Sequence, residues 1–310
     1  MLAEVLEFLA LKPAGVYVDG TLGGGGHTRA ILERIGPEGR VIGLDRDPVE
    51  LGETAAALKE FGDRLVPVNT SFEDMEHAVQ AAGHQQVDGV LMDLGVSSDQ
   101  LDRAERGFSL MKNGPLDMRM NPSMGITAAE WINHTPTVEV ARVFKLYGEE
   151  PQARRVAQWV SRERDRGEIV TTERLAELVE AAKGGRRGRI HPATKVFQAI
   201  RMTINDELGH LERGLEAALR VVRQGGRVVV ITFHSLEDRM VKQFFRRHEG
   251  RMASLPQGGE EWEGEEPRVE RVVRKVVKPS EVEVRENPRA RSAKVRAVTV
   301  LEQGDLFDAE

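Results

Sequence analysis

The chain has 310 residues, of which 40% are hydrophobic, and its formal net charge is −6. This length and composition suffice for one large globular domain or two, and the acidic balance excludes a general attraction to nucleic acid, so that any such contact must come from local basic segments. The absence of cysteine excludes disulfides, thiolate metal sites and cysteine nucleophiles, and the lack of a basic leader or an 18-residue apolar run predicts a cytoplasmic protein.

The first predicted strand leads into a glycine-rich loop. The apolar run Val16–Val18 stops at Asp19, four glycines follow at 23–26, and apolar residues then recur with helical spacing. Glycines adopt backbone conformations that other residues avoid, and they let a ligand approach the main chain. The loop is therefore predicted to cradle a ligand, with a glycine-rich linker as the alternative on this stretch alone.

A second predicted strand, Val41–Leu44, ends at Asp45, about twenty residues after the glycines. An acid at this position can accept hydrogen bonds from both hydroxyls of a ribose. A nicotinamide-binding loop requires G-x-G-x-x-G, and that frame, counted from Gly23, places Thr28 where the third glycine belongs. The order of acid, glycines and strand-end acid resembles instead the S-adenosylmethionine loop of class I methyltransferases.

The third predicted strand, Leu65–Val68, contains a proline, which favours an edge position in the sheet. After it, Ser71 and Asp74 predict a capping box for the next helix. Phe72 lies in the turn between them. Because ligands of doubly wound sheets lie beyond the carboxyl ends of the strands, this ring is placed to cover an adenine. Packing of the helix onto the sheet is the alternative role for Phe72.

The fourth predicted strand, Val87–Met92, ends at Asp93. A single aspartate after a strand is often only the cap of the next helix. Here Asp19, Asp45 and Asp93 end three strands of one parallel sheet, with the glycine loop between the first two. Three acids at one sheet edge favour a binding site.

The alternation of strands and helices then stops, and residues 105–205 contain only predicted loops and helices. This pattern predicts an inserted helical domain, with the sheet domain formed by residues 1–104 and 206–310. Residues 183–201 carry six basic side chains and no acid, in a glycine-containing loop suited to phosphate contacts. A solvated surface is the alternative. The candidate RNA-binding residues here are Arg186, Arg187, Arg189, Lys195 and Arg201.

The α/β pattern resumes with the most strand-like run of the chain, Arg227–Phe233, which is followed by His234. Two alternating runs, at 269–276 and 293–300, predict a closing antiparallel pair. The segment between them contains Arg289 and Arg291, which we predict as a second RNA contact.

Eight ordered motifs resemble those of the bacterial 16S ribosomal RNA cytosine-N4 methyltransferases, which modify a decoding-region cytidine. The resemblance covers nearly the whole chain. Its motifs are Asp19-Gly-Thr-Leu-Gly-Gly-Gly-Gly-His27, Asp93-Leu-Gly-Val-Ser-Ser98, Arg106-Gly-Phe-Ser109, Gly114-Pro-Leu-Asp-Met-Arg-Met120, Tyr147-Gly-Glu-Glu150, Ala193-Thr-Lys-Val-Phe-Gln198, Phe233-His-Ser-Leu-Glu-Asp-Arg239 and Asn287-Pro-Arg-Ala-Arg-Ser292.

This resemblance implies an α/β fold: a class I S-adenosylmethionine-dependent, Rossmann-like sheet with an inserted all-helical domain for RNA recognition. It implies S-adenosylmethionine as the methyl donor, and as the partner 16S rRNA in the small ribosomal subunit or its precursor. The residues that it implies for cofactor binding are Gly25, Gly26, His27, Asp45, Phe72, Asp93 and Gln100.

The chain departs from related proteins in two places. The family usually has a short His-containing segment ahead of its first helix, whereas this chain opens at Met1-Leu-Ala-Glu4, so a piece of the N-terminal arm is expected to be absent. Many amino-methyltransferases carry a Pro-Pro-aromatic tetrapeptide after the fourth strand. This chain has Asp93-Leu-Gly-Val-Ser-Ser98 there, so the usual acceptor geometry cannot be transferred.

Methylation of cytosine N4 needs a hydrogen-bond acceptor, because the lone pair of this nitrogen is delocalised into the ring. A group that accepts an amino hydrogen would localise the lone pair and orient it. Asp93 is the first candidate for this catalytic role and His234 the second, with structural hydrogen bonding at a strand end as the alternative for His234.

Two other functions compete with an RNA N4-cytosine methyltransferase. A nucleotide-dependent oxidoreductase would require the interrupted glycine frame to work. A non-enzymatic RNA-binding assembly factor with a vestigial cofactor site is opposed by the intact Asp19, glycines and Asp45.

Overall fold

The computed structural model describes residues 1–186, 188, 190–254, 257, 260–263 and 267–301. The chain divides into two compact units. The sheet unit comprises Met1–Gly95 and His210–Glu310, and the helical unit comprises Val96–Gly209. The domain boundaries expected from the sequence, at 104/105 and 205/206, fall inside the helical unit.

The strands of the described residues lie outside the helical unit. They are β1 (Val16–Asp19), β2 (Arg40–Asp45), β3 (Leu65–Asn69), β4 (Val87–Asp93), β5 (Val222–Thr232), β6 (Arg251–Ser254), β7 (Glu260–Glu263), β8 (Val269–Arg271) and β9 (Lys294–Val300).

Seven of these strands form one sheet in the order β3-β2-β1-β4-β5-β9-β8. Strands β1 to β5 are parallel, and β9 is antiparallel to both of its neighbours. Every residue of β1 and all but the last of β4 are buried, as expected of strands covered on both faces. The sheet confirms the predicted α/β fold class.

The two ends of the sheet show where the sequence pattern was sufficient and where it was not. Pro67 lies in β3, at the predicted edge position. The closing antiparallel pair is also present, but β8 ends at Arg271 instead of continuing to 276. The chain bends there, although the Val272 N–H still donates to the Ala297 carbonyl of β9 at 3.0 Å, and an isolated bridge between Val277 and Val295 follows.

The helices follow in chain order. They are α1 (Leu2–Leu9), α2 (Gly26–Arg34), α3 (Pro48–Ala57), α4 (Met75–Ala81), α5 (Ser98–Asp102), α6 (Ala128–His134), α7 (Thr137–Leu146), α8 (Ala153–Arg164), α9 (Thr172–Ala182), α10 (Thr194–Ile204), α11 (Glu207–Val221), α12 (Ser235–Glu249) and α13 (Glu281–Glu286). Among the described residues, no helix is long and apolar enough to cross a membrane.

The helical unit has a hydrophobic core of its own. Its helices α7 to α10 supply most of the buried apolar side chains, including Phe144, Leu175 and Ile200. Buried residues on α8 recur at 153, 156, 157 and 160, the spacing of one helix face. Each unit therefore buries an apolar interior independently.

Candidate functional site

Three acidic residues end adjacent strands at the carboxyl edge of the sheet. Asp19 ends β1, Asp45 ends β2 and Asp93 ends β4. Strand β1 lies between the other two, and all three run parallel. The structure thus brings these acids to one edge, beside the glycine loop that follows β1.

Asp19 fastens both ends of the glycine loop. Its buried carboxylate accepts hydrogen bonds from the Thr21 backbone N–H at 3.2 Å and from the Thr28 hydroxyl at 2.7 Å. Burial raises the pKa of this carboxyl, and the two hydrogen bonds oppose the shift. Asp19, at the end of β1, therefore fixes the conformation of the loop. Neither threonine was predicted to anchor the loop, although each lies two residues from the glycine run.

The glycines of the loop have different roles. Gly25 has a left-handed φ of 74°, and a Cβ built on it would lie 2.7 Å from Thr54 Cγ2, so it lets the loop pack against α3. Cβ atoms built on Gly24 and Gly26 would meet nothing within 4 Å. These two glycines line the open side of the loop, and Gly24 was not among the predicted ligand residues. Helix α2 begins at Gly26, where its first N–H groups lack intrahelical acceptors.

Asp45 is tied to the same loop from the neighbouring strand. Its Oδ2 accepts from the Gly23 N–H at 2.8 Å, and its Oδ1 accepts from the Asp47 N–H at 2.8 Å. Burial raises the pKa of the Asp45 carboxyl. Each oxygen retains a second lone pair. The carboxylate can therefore accept from ligand hydroxyls while it holds the loop.

Phe72 lies in a short 3₁₀ turn after β3, half-buried. A Cβ built on Gly20 would lie 3.0 Å from Phe72 Cβ, and a Cβ on Gly214 of α11 would collide with the ring. The adjacent Glu73 accepts from His210 Nδ1 at 2.7 Å. Phe72 is thus held between the loop after β1 and helix α11.

The capping box predicted at Ser71 and Asp74 is wrong. The Ser71 side chain makes no cap bond, because a 3₁₀ turn follows it and α4 begins only at Met75. The Ser71 hydroxyl lies 3.4 Å from His210 Nδ1 instead.

Asp93 has the most unusual environment of the three acids. Its N–H donates to the Thr21 hydroxyl at 2.7 Å, and its Oδ2 lies 3.5 Å from His27 Nδ1. Its Oδ1 is buried and has no hydrogen-bond partner among the described residues. Burial is the main cause that raises the pKa of Asp93 to about 6. Because an unpartnered buried oxygen is costly, this atom points to a ligand that donates to it.

His234 caps helix α12. Its Nδ1 accepts from the Glu237 N–H at 3.3 Å, and its Nε2 lies 2.8 Å from Glu237 Oε1. Glu237 in turn accepts from the Phe233 N–H at 2.8 Å. These contacts agree with the alternative role of His234, which is structural hydrogen bonding at the end of a strand.

Gln100 belongs to the helical unit, where it is buried in a capping box of α5. Its side chain accepts from the Ser97 N–H at 3.2 Å, and its own N–H donates to the Ser97 hydroxyl at 3.0 Å.

The candidate RNA-binding residues of the helical unit differ in their surroundings. Arg186 is exposed, whereas Arg187 and Arg189 lie outside the described residues. Lys195 is exposed and donates to the Glu149 carbonyl at 2.8 Å. Arg201 forms a two-point ion pair with Glu207, at 2.7 and 2.8 Å, and both side chains are largely buried. The guanidinium of Arg201 is thus occupied within the unit.

Arg289 and Arg291 lie on an exposed 3₁₀ turn, Pro288–Ser292, directly before β9. The first residue of β9, Lys294, pairs with Thr232 at the carboxyl end of β5. Asp93 pairs with Ile231 of the same strand. The structure therefore places these two arginines at the sheet edge that carries the acids.

Comparison with known proteins gives one consistent result. Residues 1–301 match the MraW methylase family. Three similar proteins, each named ribosomal RNA small subunit methyltransferase H, come from Geobacter sulfurreducens, Symbiobacterium thermophilum and Methylococcus capsulatus. They are 50%, 49% and 51% identical over 303, 307 and 298 residues, and the alignments cover 97%, 98% and 96% of this chain and 97%, 96% and 98% of the relatives.

Proposed function

This chain belongs to the MraW methylase family, and from that premise we propose that it is an S-adenosylmethionine-dependent methyltransferase of small-subunit ribosomal RNA. We further propose N4 of a decoding-region cytidine in 16S rRNA as the methylated atom, on the strength of the eight motifs. The observation that best supports the proposed activity is the Oδ1 atom of Asp93 at the end of β4, which is buried and has no hydrogen-bond partner among the described residues.

The residues at the sheet edge fit S-adenosylmethionine. Gly24 and Gly26 leave open space above the loop, and the first N–H groups of α2 favour an anionic group such as a carboxylate. Asp45 has the lone pairs to hold ribose hydroxyls. When bound, the cofactor supplies an electrophilic methyl group. The residues proposed to hold it are Gly25, through its backbone, and Gly26, His27, Asp45, Phe72, Asp93 and Gln100.

Asp93 is proposed to accept a hydrogen bond from the exocyclic amino group of the target base. This acceptance localises the nitrogen lone pair and fixes its direction. Positioning supplies several kcal/mol in such transfers, and general-base help roughly another 3 to 5 kcal/mol. His234 is the second candidate, but the acceptor lone pair of its Nδ1 already serves the helix cap.

RNA binding is proposed to use local basic groups, since the chain as a whole is acidic. Arg289 and Arg291 at the sheet edge are one set, and Arg186 and Lys195 of the helical unit are exposed members of the other. The contacts of Arg201 with Glu207 favour a structural role for that residue. The proposed partner is the small ribosomal subunit or its precursor, and from this partner we infer a cytoplasmic location.

Two measurements test this proposal. Calorimetry is expected to show S-adenosylmethionine binding, and a preference for NAD would support an oxidoreductase instead. Mass spectrometry of small-subunit RNA from a deletion strain is expected to show the loss of one N4-methylated cytidine. Cofactor binding or RNA binding without any such loss would favour the non-enzymatic assembly factor.

The Asp93→Asn variant tests the acceptor role separately. Asparagine keeps the shape of the side chain but removes its charge and proton affinity, so kcat is expected to fall much further than the affinity for S-adenosylmethionine. Equal losses in both quantities would make Asp93 a cofactor ligand alone. Asp63→Asn, in an exposed turn before β3, serves as the control.

A further inference from the structure

His27 stands beside the unpartnered carboxylate in a fixed position. It is the second residue of α2, and its Nδ1 lies 3.5 Å from Asp93 Oδ2. The imidazole is 21% exposed and the Asp93 side chain 29%, so the pair is largely withdrawn from water. The contact leaves Oδ1, on the other side of the carboxylate, without a partner among the described residues.

Three hydrogen bonds hold this pair in register. The Thr28 hydroxyl donates to Asp19 at 2.7 Å, which anchors the first turn of α2 to the end of β1. The Gly20 N–H donates to the Leu91 carbonyl at 2.8 Å, and the Asp93 N–H donates to the Thr21 hydroxyl at 2.7 Å. Because β1 and β4 are neighbours, these bonds fix the start of α2 relative to the end of β4.

We propose that His27 is a positioning residue for Asp93: its imidazole holds Oδ2, so that Oδ1 is presented to the group that donates a hydrogen to it. This role differs from direct contact with the cofactor. It rests on the proposed methyltransferase function only in the identity of that donor, the amino group of the target base.

The charges around Asp93 determine how the pair titrates. Asp19 and Glu237 raise the pKa of Asp93, as burial does, whereas His27 and the amino group of Met1 lower it. Burial and the Met1 amino group lower the pKa of His27, and Asp93 raises it. Replacement of His27 by a group that cannot be protonated therefore raises the pKa of Asp93. Replacement of Asp93 by a neutral group lowers the pKa of His27.

The first test needs no turnover. The chain has eight histidines, and the imidazole resonance of His27 is the one missing from the NMR spectrum of His27→Asn. In Asp93→Asn, whose His27 is intact, that resonance is expected to titrate about one pH unit lower than in the wild-type protein, the usual size of the effect of a charge within 4–6 Å. An unchanged His27 titration would overturn the proposal.

The second test is the pH profile of kcat on small ribosomal subunits. Asparagine at 27 keeps a polar side chain but carries no charge, so the acid limb of the profile is expected to move about one unit to higher pH. His77→Asn, at an exposed position of α4, is the matched control and should keep the wild-type limb.

The outcomes are distinguishable. A raised dissociation constant for S-adenosylmethionine with an unmoved acid limb would make His27 a cofactor ligand alone and overturn the positioning role. An inactive wild-type protein would instead contradict the proposed function, and the NMR titration would still decide the inference about His27.

Discussion

At the scale of single residues, the burial of Asp93 carries an energetic cost in the folded protein. Its pKa is raised in the folded protein to about 6, whereas an unfolded chain ionises near the ordinary aspartate value. An acid whose folded pKa is raised favours folding below its unfolded pKa, and this contribution is lost as the pH rises through 6. Above that pH the ionised carboxylate destabilises the sheet unit.

Asp93→Asn is therefore expected to stabilise the protein at pH 8. A shift of two pKa units corresponds to about 2 to 3 kcal/mol in the free energy of unfolding, which is a rise of roughly 4 to 12 °C in Tm for a unit of this size. The difference from the wild-type protein should disappear near pH 4. Melting curves at the two pH values provide the measurement, and an equal Tm at pH 8 would mean that Asp93 is not ionised at a cost.

Asp45 is predicted to contribute to the affinity for S-adenosylmethionine. Asp45→Ala removes a charged acceptor and also frees the Gly23 N–H that it holds. S-adenosylmethionine affinity is expected to fall by about 1.5 to 3 kcal/mol, the scale of hydrogen bonds to a charged group. Calorimetry on this variant and on Asp63→Ala gives the comparison; a folded Asp45→Ala protein with normal affinity would remove Asp45 from the ribose site.

At the scale of elements, the glycine loop separates stability from binding in adjacent residues. Gly25→Ala places a Cβ against Thr54 at a positive φ, so a loss of about 1 to 3 kcal/mol in the free energy of unfolding is expected. Gly24→Ala meets no neighbour and should leave stability unchanged while it weakens S-adenosylmethionine binding. Urea denaturation and calorimetry on both variants test the contrast, which the reverse pattern would contradict.

The sequence was most informative where one signal controls an element. Continuous apolar runs predict β1 and β4 because both faces of these strands are buried, and Pro67 predicts an edge because it cannot donate to a neighbour. Two other patterns failed. The capping pattern at Ser71 is not realised because a 3₁₀ turn follows it, and the Ser71 hydroxyl lies 3.4 Å from His210 Nδ1 of a distant helix. The alternating run does not continue as a strand after Arg271, because the chain bends there.

The candidate site was predictable only in part for the same reason. Strand order and strand ends place Asp19, Asp45 and Asp93 at one edge. Gly25 differs in role from Gly24 and Gly26 because it packs against Thr54 of α3. Arg201 is occupied because it forms an ion pair with Glu207. No local pattern encodes such contacts between elements.

At the scale of the whole molecule, the net charge of −6 means that the proposed RNA contacts must come from a few basic groups. Each lost phosphate contact lowers the slope of log affinity against log salt by about 0.7 for single strands. Replacing Arg186, Arg187 and Arg189 together by alanine is expected to flatten this slope by up to about two units and to leave S-adenosylmethionine affinity unchanged.

The matched control for this variant is a triple replacement that removes the same charge at exposed residues near the amino ends of the sheet strands, Arg34, Arg40 and Lys59. It should leave the salt slope as in the wild-type protein. An unaltered slope in the first variant would show that its three arginines form a solvated surface.

The order of the strands also has a consequence for the chain as it is being made. Strand β4 ends at residue 93, but its partner β5 begins only at 222, after the whole helical unit has been synthesised. Until then, β4 is the exposed margin of a growing four-stranded sheet, with five apolar or small residues and Asp88 in its buried run. Such margins are templates for pairing with other chains. The nascent protein therefore passes through a long interval in which it is prone to aggregate, and early folding of the helical unit would shorten the remaining search for β5.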